Sequence, residues 1–314
     1  MLHGAPGAPA TIDRRERRLQ GWETLVVLSV FPLAATFSAL VLLIEHLTLD
    51  IAIDAPIAIR APLWVDLLLN VIFLLLELSA VFLVWYLMVR SGEGLTAINL
   101  GGRRWRTDLA FLLPVFFAVF LLPLWLGRGI LAAAGLHAYA VIGPEFSARW
   151  ADVALQCVHG AVSGVIEEVV VLGFLVRRLE QRGWPVAAIV VVDAGVRLSY
   201  HVYYGPGVIE VAPWAVVSVL VYLRIRRLLP FIICHAIYDV GLEIRAAYHV
   251  AYVALAVAAI IVGLGFTMLW ARWVRADGGS GGGRAAATDV LGPRGRLRLM
   301  GQRPPSESLG RVSS

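Results

Sequence analysis

Acidic, histidine and small polar residues recur at helical spacing inside one long apolar segment of the sequence. Gln156, His159, Ser163 and Glu167 follow one another at steps of three and four residues, which places their side chains on one face of a helix. Glu168 comes next and lies about 100 degrees further round the same helix. The segment therefore predicts a helix with a polar stripe and a second carboxylate directed towards a neighbouring element.

Two further apolar segments carry stripes of the same kind. Asp193, Arg197 and His201 are spaced four residues apart in one of them, and His235 and Asp239 are four apart in the other. A charged side chain at the centre of a bilayer costs about 2.5–3.5 kcal/mol on insertion scales, so its presence there indicates a function. Carboxylate and imidazole groups can transfer protons or bind a metal ion. Three such stripes can converge on one cavity.

The elements that position these residues follow from the composition. The 314 residues are 59% hydrophobic, with a mean hydropathy of +0.78, whereas soluble domains contain about 45–50% apolar residues. A helix that crosses a bilayer needs about 20 residues. We predict an all-α polytopic membrane protein of about eight transmembrane helices around an intramembrane polar cavity. The predicted spans are residues 24–44, 63–88, 109–126, 153–176, 186–203, 208–223, 228–242 and 250–274.

The basic residues, all 27 of them arginine, predict the orientation. They cluster before the first span, on every second connection and in the C-terminal tail. By the positive-inside rule we expect both termini in the cytoplasm and the protein in the cell (inner or plasma) membrane. Because the clusters are separated by spans, they predict contacts with anionic membrane lipids and argue against a nucleic-acid-binding face.

Three regions are expected along the chain. Residues 1–21 are polar and arginine-rich and are predicted to be a disordered cytoplasmic segment, and residues 276–314 are predicted to be a disordered basic tail because they lack apolar periodicity. Residues 22–275 form the membrane domain between them. The ten tryptophans lie near the predicted span ends, where an indole ring prefers the level of the lipid headgroups.

The polar stripes resemble the three motifs of the CPBP intramembrane glutamic endopeptidases. These motifs are EExxxR, FxxxH and HxxxN or HxxxD, on three helices of an eight-helix membrane fold. Glu167-Glu168, then His201, then His235-Ala-Ile-Tyr-Asp239 match them in order, and the resemblance covers about residues 148–250. The family includes CAAX prenyl endopeptidases and ABI-like bacterial relatives linked to bacteriocin processing or immunity.

The resemblance implies a set of catalytic roles. Glu167, the first glutamate of the family motif, would act as the general base that activates water, and His201 would help to hold that water. His235 would donate to the oxyanion and Asp239 would orient it. Glu168 is included as the second catalytic glutamate. An ionised aspartate can only accept hydrogen bonds, so the donor role of the family's asparagine passes to His235 here or requires a protonated Asp239.

Two positions depart from the family pattern. Leu172 stands where the first motif has arginine, and Arg197 stands where the second has phenylalanine. We expect Arg197 to replace the missing arginine across the helix interface by pairing with Glu168 or Asp193. The alternative is that Arg197 pairs only with Asp193, four residues earlier on its own helix. His159 is expected to support the site or to lie in the core.

Depth in the membrane poses a difficulty for these assignments. Glu167 lies about 15 Å along a helix from Arg177, whereas His201 lies about 24 Å from Pro185 at the same connection. The two side chains would then differ in level unless the helix of His201 starts deeper, tilts or breaks. Sequence alone leaves this open.

Several functional interpretations remain. The leading one is an intramembrane endopeptidase without a cofactor, acting on a membrane-associated peptide or lipidated protein. In a metal-dependent version, zinc would be bound by Glu167, His201, His235 and Asp239, although the HExxH helix of zinc peptidases is missing. The motif residues could also form structural ion pairs and hydrogen bonds. A non-catalytic membrane scaffold or bacteriocin-immunity protein is the runner-up, and a proton-coupled transporter is the third class.

Overall fold

The computed structural model describes residues 14–49, 63–101, 105–139 and 150–247. All of them belong to one compact unit, Met1–Leu264. They form seven long helical segments, and no strand occurs among them. The segments are α1 (residues 14–49), α2 (Leu63–Arg90), α3 (residues 105–133), α4 (residues 150–181), α5 (Val186–Ser199), α6 (Val208–Ile225) and α7 (Leu229–Ala247).

Three of these segments contain a wide π-helical stretch between ordinary α-helical parts. They are Ser29–Leu33 in α1, Phe116–Leu121 in α3 and Glu168–Leu175 in α4. Every residue of the stretch in α4 is buried, so α4 runs through the middle of the core. A short 3₁₀ turn, Val202–Gly207, connects α5 to α6.

The predicted fold class is confirmed, and seven of the predicted spans coincide with described helices. Five helices in the described part of the chain are long and apolar enough to cross a membrane. The helix α5 is too short at 14 residues to be counted among them, and α7 carries three charged residues, Asp239, Glu243 and Arg245. Eight spans therefore stays a prediction, and the eighth span, 250–274, lies outside the described residues.

The expectation for the N-terminal segment is wrong for residues 14–21, because α1 begins at Arg14. Tertiary contacts stabilise this first part of the helix. Glu23 forms an ion pair with Arg90 at the end of α2, and the side chain of Arg182 packs against Gly21. A polar sequence can thus be helical where its charges find partners on neighbouring helices. The other predicted region boundaries lie outside the described residues.

Arginine–carboxylate pairs join the helices at one end of the bundle, which we call the arginine-rich end. They connect the start of α1 to α2, the residues after α2 to α4, the end of α4 to the residue after α6, and the start of α3 to the connection between α6 and α7. The pairs are Glu23–Arg90, Glu93–Arg177, Glu180–Arg226 and Asp108–Arg227.

Ring and backbone contacts, together with an arginine–carboxylate pair, hold the opposite end together. The ring of Tyr139, which follows α3, lies 4.5 Å from the ring of His46 near the end of α1. The backbone N–H of Tyr139 donates to the carbonyl of Tyr204 in the 3₁₀ turn, at 3.1 Å. Arg128 donates to Glu210 at the start of α6, at 2.9 Å. The two ends of the bundle are therefore chemically distinct.

Glycines allow close approach of the helices that carry the polar stripes. A Cβ atom on Gly164 of α4 would lie 2.8 Å from the backbone nitrogen of Ala236 in α7. One on Gly160 would lie 3.1 Å from the Cβ of Asp239. The close approach at these glycines sets α7 directly against the polar stripe of α4.

Candidate active site

Arg197 lies at the centre of a buried ionic cluster formed by α4 and α5. Its Nη1 and Nη2 donate to the two carboxylate oxygens of Glu168 at 3.1 and 3.0 Å, and its Nε donates to Asp193 at 3.1 Å. All three side chains are fully buried. The expected pairing of Arg197 is confirmed with both carboxylates, so the alternative of a pair with Asp193 alone is wrong.

Glu168 has a further partner on α7. The Nδ1 atom of His235 lies 2.8 Å from Oε1 of Glu168, and we assign the proton to Nδ1 because an ionised carboxylate accepts only. The Nε2 atom of His235 lies 3.5 Å from Oδ2 of Asp239. The shorter contact of His235 is therefore with Glu168, and Asp239 lies beyond hydrogen-bonding geometry on the other side of the ring.

Glu167 occupies a different environment from its neighbour. The hydroxyl of Tyr200 donates to its Oε2 at 2.8 Å, and Ser163 lies 3.4 Å from its Oε1. Nη1 of Arg197 is 3.8 Å from Oε2. The residue is 6% exposed. Glu167 therefore keeps a carboxylate oxygen with only one long contact, whereas both oxygens of Glu168 are bound by Arg197.

His201 is fixed by the backbone of α5. Its Nδ1 lies 2.8 Å from the carbonyl oxygen of Arg197, and a carbonyl only accepts, so Nδ1 carries the proton. The neutral ring then presents an unprotonated Nε2. The ring packs near Tyr204 and Trp214, with centroids 5.8 and 6.1 Å away.

The depth difficulty disappears because α4 continues beyond Arg177. The helix ends at Gln181, fourteen residues after Glu167, and Tyr200 lies fourteen residues after Val186, where α5 begins. The two antiparallel helices thus bring Glu167 and Tyr200 to one level, next to His201.

A cavity of about 420 Å³ lies beside these residues. His201, His235 and Asp239 are among the lining side chains. Glu167 is not one of them, but it is hydrogen-bonded to Tyr200, the residue before His201. The other lining residues are mainly aromatic or apolar. They are Phe120, Leu124, Arg128, Ala138, Tyr139, Tyr204, Gly207, Glu210, Val211, Trp214, Tyr238 and Leu242.

Sequence reasoning missed two contributors to this site. Tyr200 has a signal in retrospect, because it lies three residues after Arg197 on the polar face of α5. Trp214 has none: the sequence placed it among tryptophans at the headgroup level. It is 4% exposed, its ring stacks 4.7 Å from the guanidinium of Arg197, and it contacts the ring of His235 at 5.2 Å.

Two other expectations fall outside the cluster. His159 lies on the same stripe of α4, but its Nε2 has no hydrogen-bonding partner, and its electrostatic neighbour is Glu77 of α2. In the described residues, no group of three or more histidine, cysteine, aspartate or glutamate side chains could hold a metal ion. The zinc set of Glu167, His201, His235 and Asp239 is therefore not gathered for coordination, and the absence of a cofactor stays a prediction.

Fold and site together define an integral membrane protein with a buried carboxylate–arginine–histidine cluster beside a cavity. Comparison with known families specifies this class: residues 149–241 match the family described as Rce1-like, type II CAAX prenyl endopeptidase. The match confirms the family resemblance of the motifs over residues 149–241, which are similar to a CAAX-type intramembrane protease family and make up less than half of the chain. No curated protein and no solved structure matches the chain.

Proposed function

We propose that this protein is a glutamate-type intramembrane endopeptidase, in which Glu167 activates the water that attacks a peptide bond of a membrane-associated peptide or lipidated protein. The observation that carries the proposal is the different bonding of the two adjacent glutamates. Glu168 is saturated by Arg197 and His235, whereas Glu167 retains an oxygen with only a long contact to Ser163. Only Glu167 is free to take a proton.

Glu167 has the surroundings that a general base requires. The Tyr200 hydroxyl donates to its Oε2 at 2.8 Å, and the guanidinium of Arg197 lies 3.8 Å from the same oxygen, so this side of the carboxylate is held in place while Oε1 is left for water. Glu167 would remove a proton from water as the oxygen attacks the carbonyl carbon, and would then deliver that proton to the leaving amine. One carboxylate thus serves both steps of the hydrolysis.

The two histidines would complete the reaction from the cavity wall. His201 presents an unprotonated Nε2 that can accept a hydrogen bond from the attacking water. His235 is fixed by Glu168 through Nδ1, so a proton on its Nε2 would point towards the developing oxyanion. Asp239, 3.5 Å from that nitrogen, would help to orient the ring. In this scheme Glu168 is a positioning residue.

The test compares two glutamate-to-glutamine changes in the same chain. Purified protein in lipid vesicles is incubated with a library of apolar peptides, and cleavage products are measured by mass spectrometry. We expect Glu167→Gln to lower the cleavage rate at least 100-fold, the range that a general base contributes. Glu77→Gln is the matched control, because Glu77 is an exposed glutamate of α2 outside the cluster; it should retain the wild-type rate.

A graded variant separates catalysis from folding. Tyr200→Phe removes only the hydroxyl that donates to Glu167 and should lower the rate about tenfold, which corresponds to about 1.4 kcal/mol. Equal rates for wild type and Glu167→Gln, with both proteins folded, would reject the proposal. That result would favour the scaffold interpretation, in which the ionic cluster only holds α4, α5 and α7 together.

A further inference from the structure

The cavity lies at the end of the bundle opposite the arginine-rich end. Its outer wall is formed by residues after α3, by the 3₁₀ turn and by the second half of α7. Two lining residues mark the mouth: Ala138, which is exposed, and Arg128, whose side chain is 55% exposed. Phe120, Trp214 and His235 are buried at its inner end. The described cavity is therefore reached from one end of the helices.

Arginine is unevenly distributed between these two ends. In the described part of the chain, the cavity end has Arg128 and, near the end of α7, Arg245. Helix termini at the other end carry many more. They are Arg14, Arg15, Arg17, Arg18, Arg90, Arg106, Arg177, Arg178, Arg182, Arg224, Arg226 and Arg227. Since arginine accumulates on the cytoplasmic side of membrane proteins, the arginine-rich end faces the cytoplasm.

We propose that the cavity opens to the non-cytoplasmic side of the membrane and receives an extracytoplasmic peptide segment of a secreted or membrane-anchored protein. That this segment is cleaved as a substrate rests on the proposed endopeptidase function. The direction of opening rests only on the position of the cavity and the distribution of arginine. A lipidated C-terminus presented from the cytoplasm would meet the arginine-rich end, where ion pairs join the helices.

The lining indicates what kind of segment fits. Aromatic and aliphatic side chains dominate, among them Phe120, Leu124 and Trp214. The one arginine and the one glutamate of the lining, Arg128 and Glu210, bond to each other. The titratable groups that remain in the lining are His201, His235 and Asp239 of the candidate active site. A cavity of about 420 Å³ holds a few side chains. The segment is thus short and mainly apolar.

Cysteine labelling tests the direction of opening without relying on activity. In a background with Cys157→Ala and Cys234→Ala, single cysteines are placed at Ala134, beside the cavity mouth, and at Ser91, at the arginine-rich end. The substitutions Ala134→Cys and Ser91→Cys are small and lie outside the candidate active site. A membrane-impermeant maleimide is added to intact cells and to disrupted membranes, and labelling after denaturation measures the reactive total.

We expect Ala134→Cys to be labelled in intact cells and Ser91→Cys only after disruption, with at least a tenfold difference between them. Labelling of Ser91→Cys in intact cells, alone or together with Ala134→Cys, would overturn the proposal, as would protection of Ala134→Cys. A second readout adds an impermeant apolar peptide outside cells that produce wild type or Glu167→Gln. If labelling is as expected and no peptide is cleaved by wild type, the endopeptidase function fails while the orientation stands.

Discussion

At the scale of single residues, Arg197 shows how a motif can be preserved in space while it is lost in sequence. The first motif of the family has an arginine where this chain has Leu172, which is fully buried in the π-helical stretch of α4. The guanidinium enters instead from α5 and contacts Glu168 with two parallel hydrogen bonds. Helical periodicity could predict this pairing, because Arg197 lies on the same face as Asp193 and His201.

Replacement of Arg197 should destabilise the whole bundle. Arg197→Leu would leave Glu168 and Asp193 buried without a cation, and breaking a buried pair in this way costs about 3–5 kcal/mol. We expect a clear fall in the midpoint of thermal unfolding, measured on protein purified in detergent.

The control is Arg226→Leu, which removes a partly exposed partner of Glu180 and should cost less than about 1 kcal/mol. A thermal midpoint of Arg197→Leu equal to that of wild type would show that the buried cluster does not stabilise the fold.

Trp214 was beyond the reach of sequence reasoning, and Tyr200 had only its position on the polar face of α5 as a signal. An acidic or histidine residue inside an apolar segment is conspicuous because it is costly there. Tyrosine and tryptophan are common at the ends of membrane spans, so their residue types carry no such signal. Only the packing of α5 against α4 and α6 shows that one donates to Glu167 and the other covers Arg197.

At the scale of elements, the sequence predicts the helices but not the relative depth of their residues in the membrane. Apolar length predicts that α4 and α5 exist, yet the estimate of depth failed because it took Arg177 as the end of α4. That helix continues to Gln181, since Arg177 and Arg178 find a partner in Glu93 and need not mark the boundary. Two of the three helices that carry the site, α5 and α7, are those that do not count as long, apolar membrane-crossing helices.

Contact between α3 and α6 gives a prediction at this scale. A Cβ atom on Gly127 would collide with the backbone of Glu210, whereas one on Gly129, two residues later in α3, meets nothing within 4 Å. We expect Gly127→Ala to lower the free energy of unfolding by about 1–3 kcal/mol because the helices must separate.

The matched change Gly129→Ala should be neutral or stabilise the helix by about 0.5–1 kcal/mol. Denaturant titration of both proteins in detergent provides the measurement. Equal stability of the two variants would mean that α3 and α6 do not approach as closely as the structure indicates.

At the scale of the whole molecule, the outside of the bundle is as apolar as its inside. Phe37, Trp125 and Val191 are each at least 70% exposed, which is the pattern of a surface covered by lipid. The chain therefore gains little by burying these side chains against one another, and the polar cluster together with close glycine contacts must specify how the helices pack.

Phe37, near the middle of α1, allows a test of this surface. Phe37→Asp would place a charge among lipid chains at a cost of about 2.5–3.5 kcal/mol, so less of the protein should resist extraction with alkaline carbonate. Phe37→Leu keeps the position apolar and should behave like wild type. Full retention of the aspartate variant in the membrane would place this face of α1 away from lipid.

The ionic cluster has a consequence for how the chain enters the membrane during synthesis. Glu167 and Glu168 leave the ribosome before the cation that neutralises them, because Arg197 follows Glu168 by 29 residues. Helix α4 released alone into lipid would carry two uncompensated carboxylates, and α5 alone would carry an unbalanced guanidinium. We therefore expect α4 and α5 to partition into the bilayer together as one hairpin, in which Arg197 already faces Glu168.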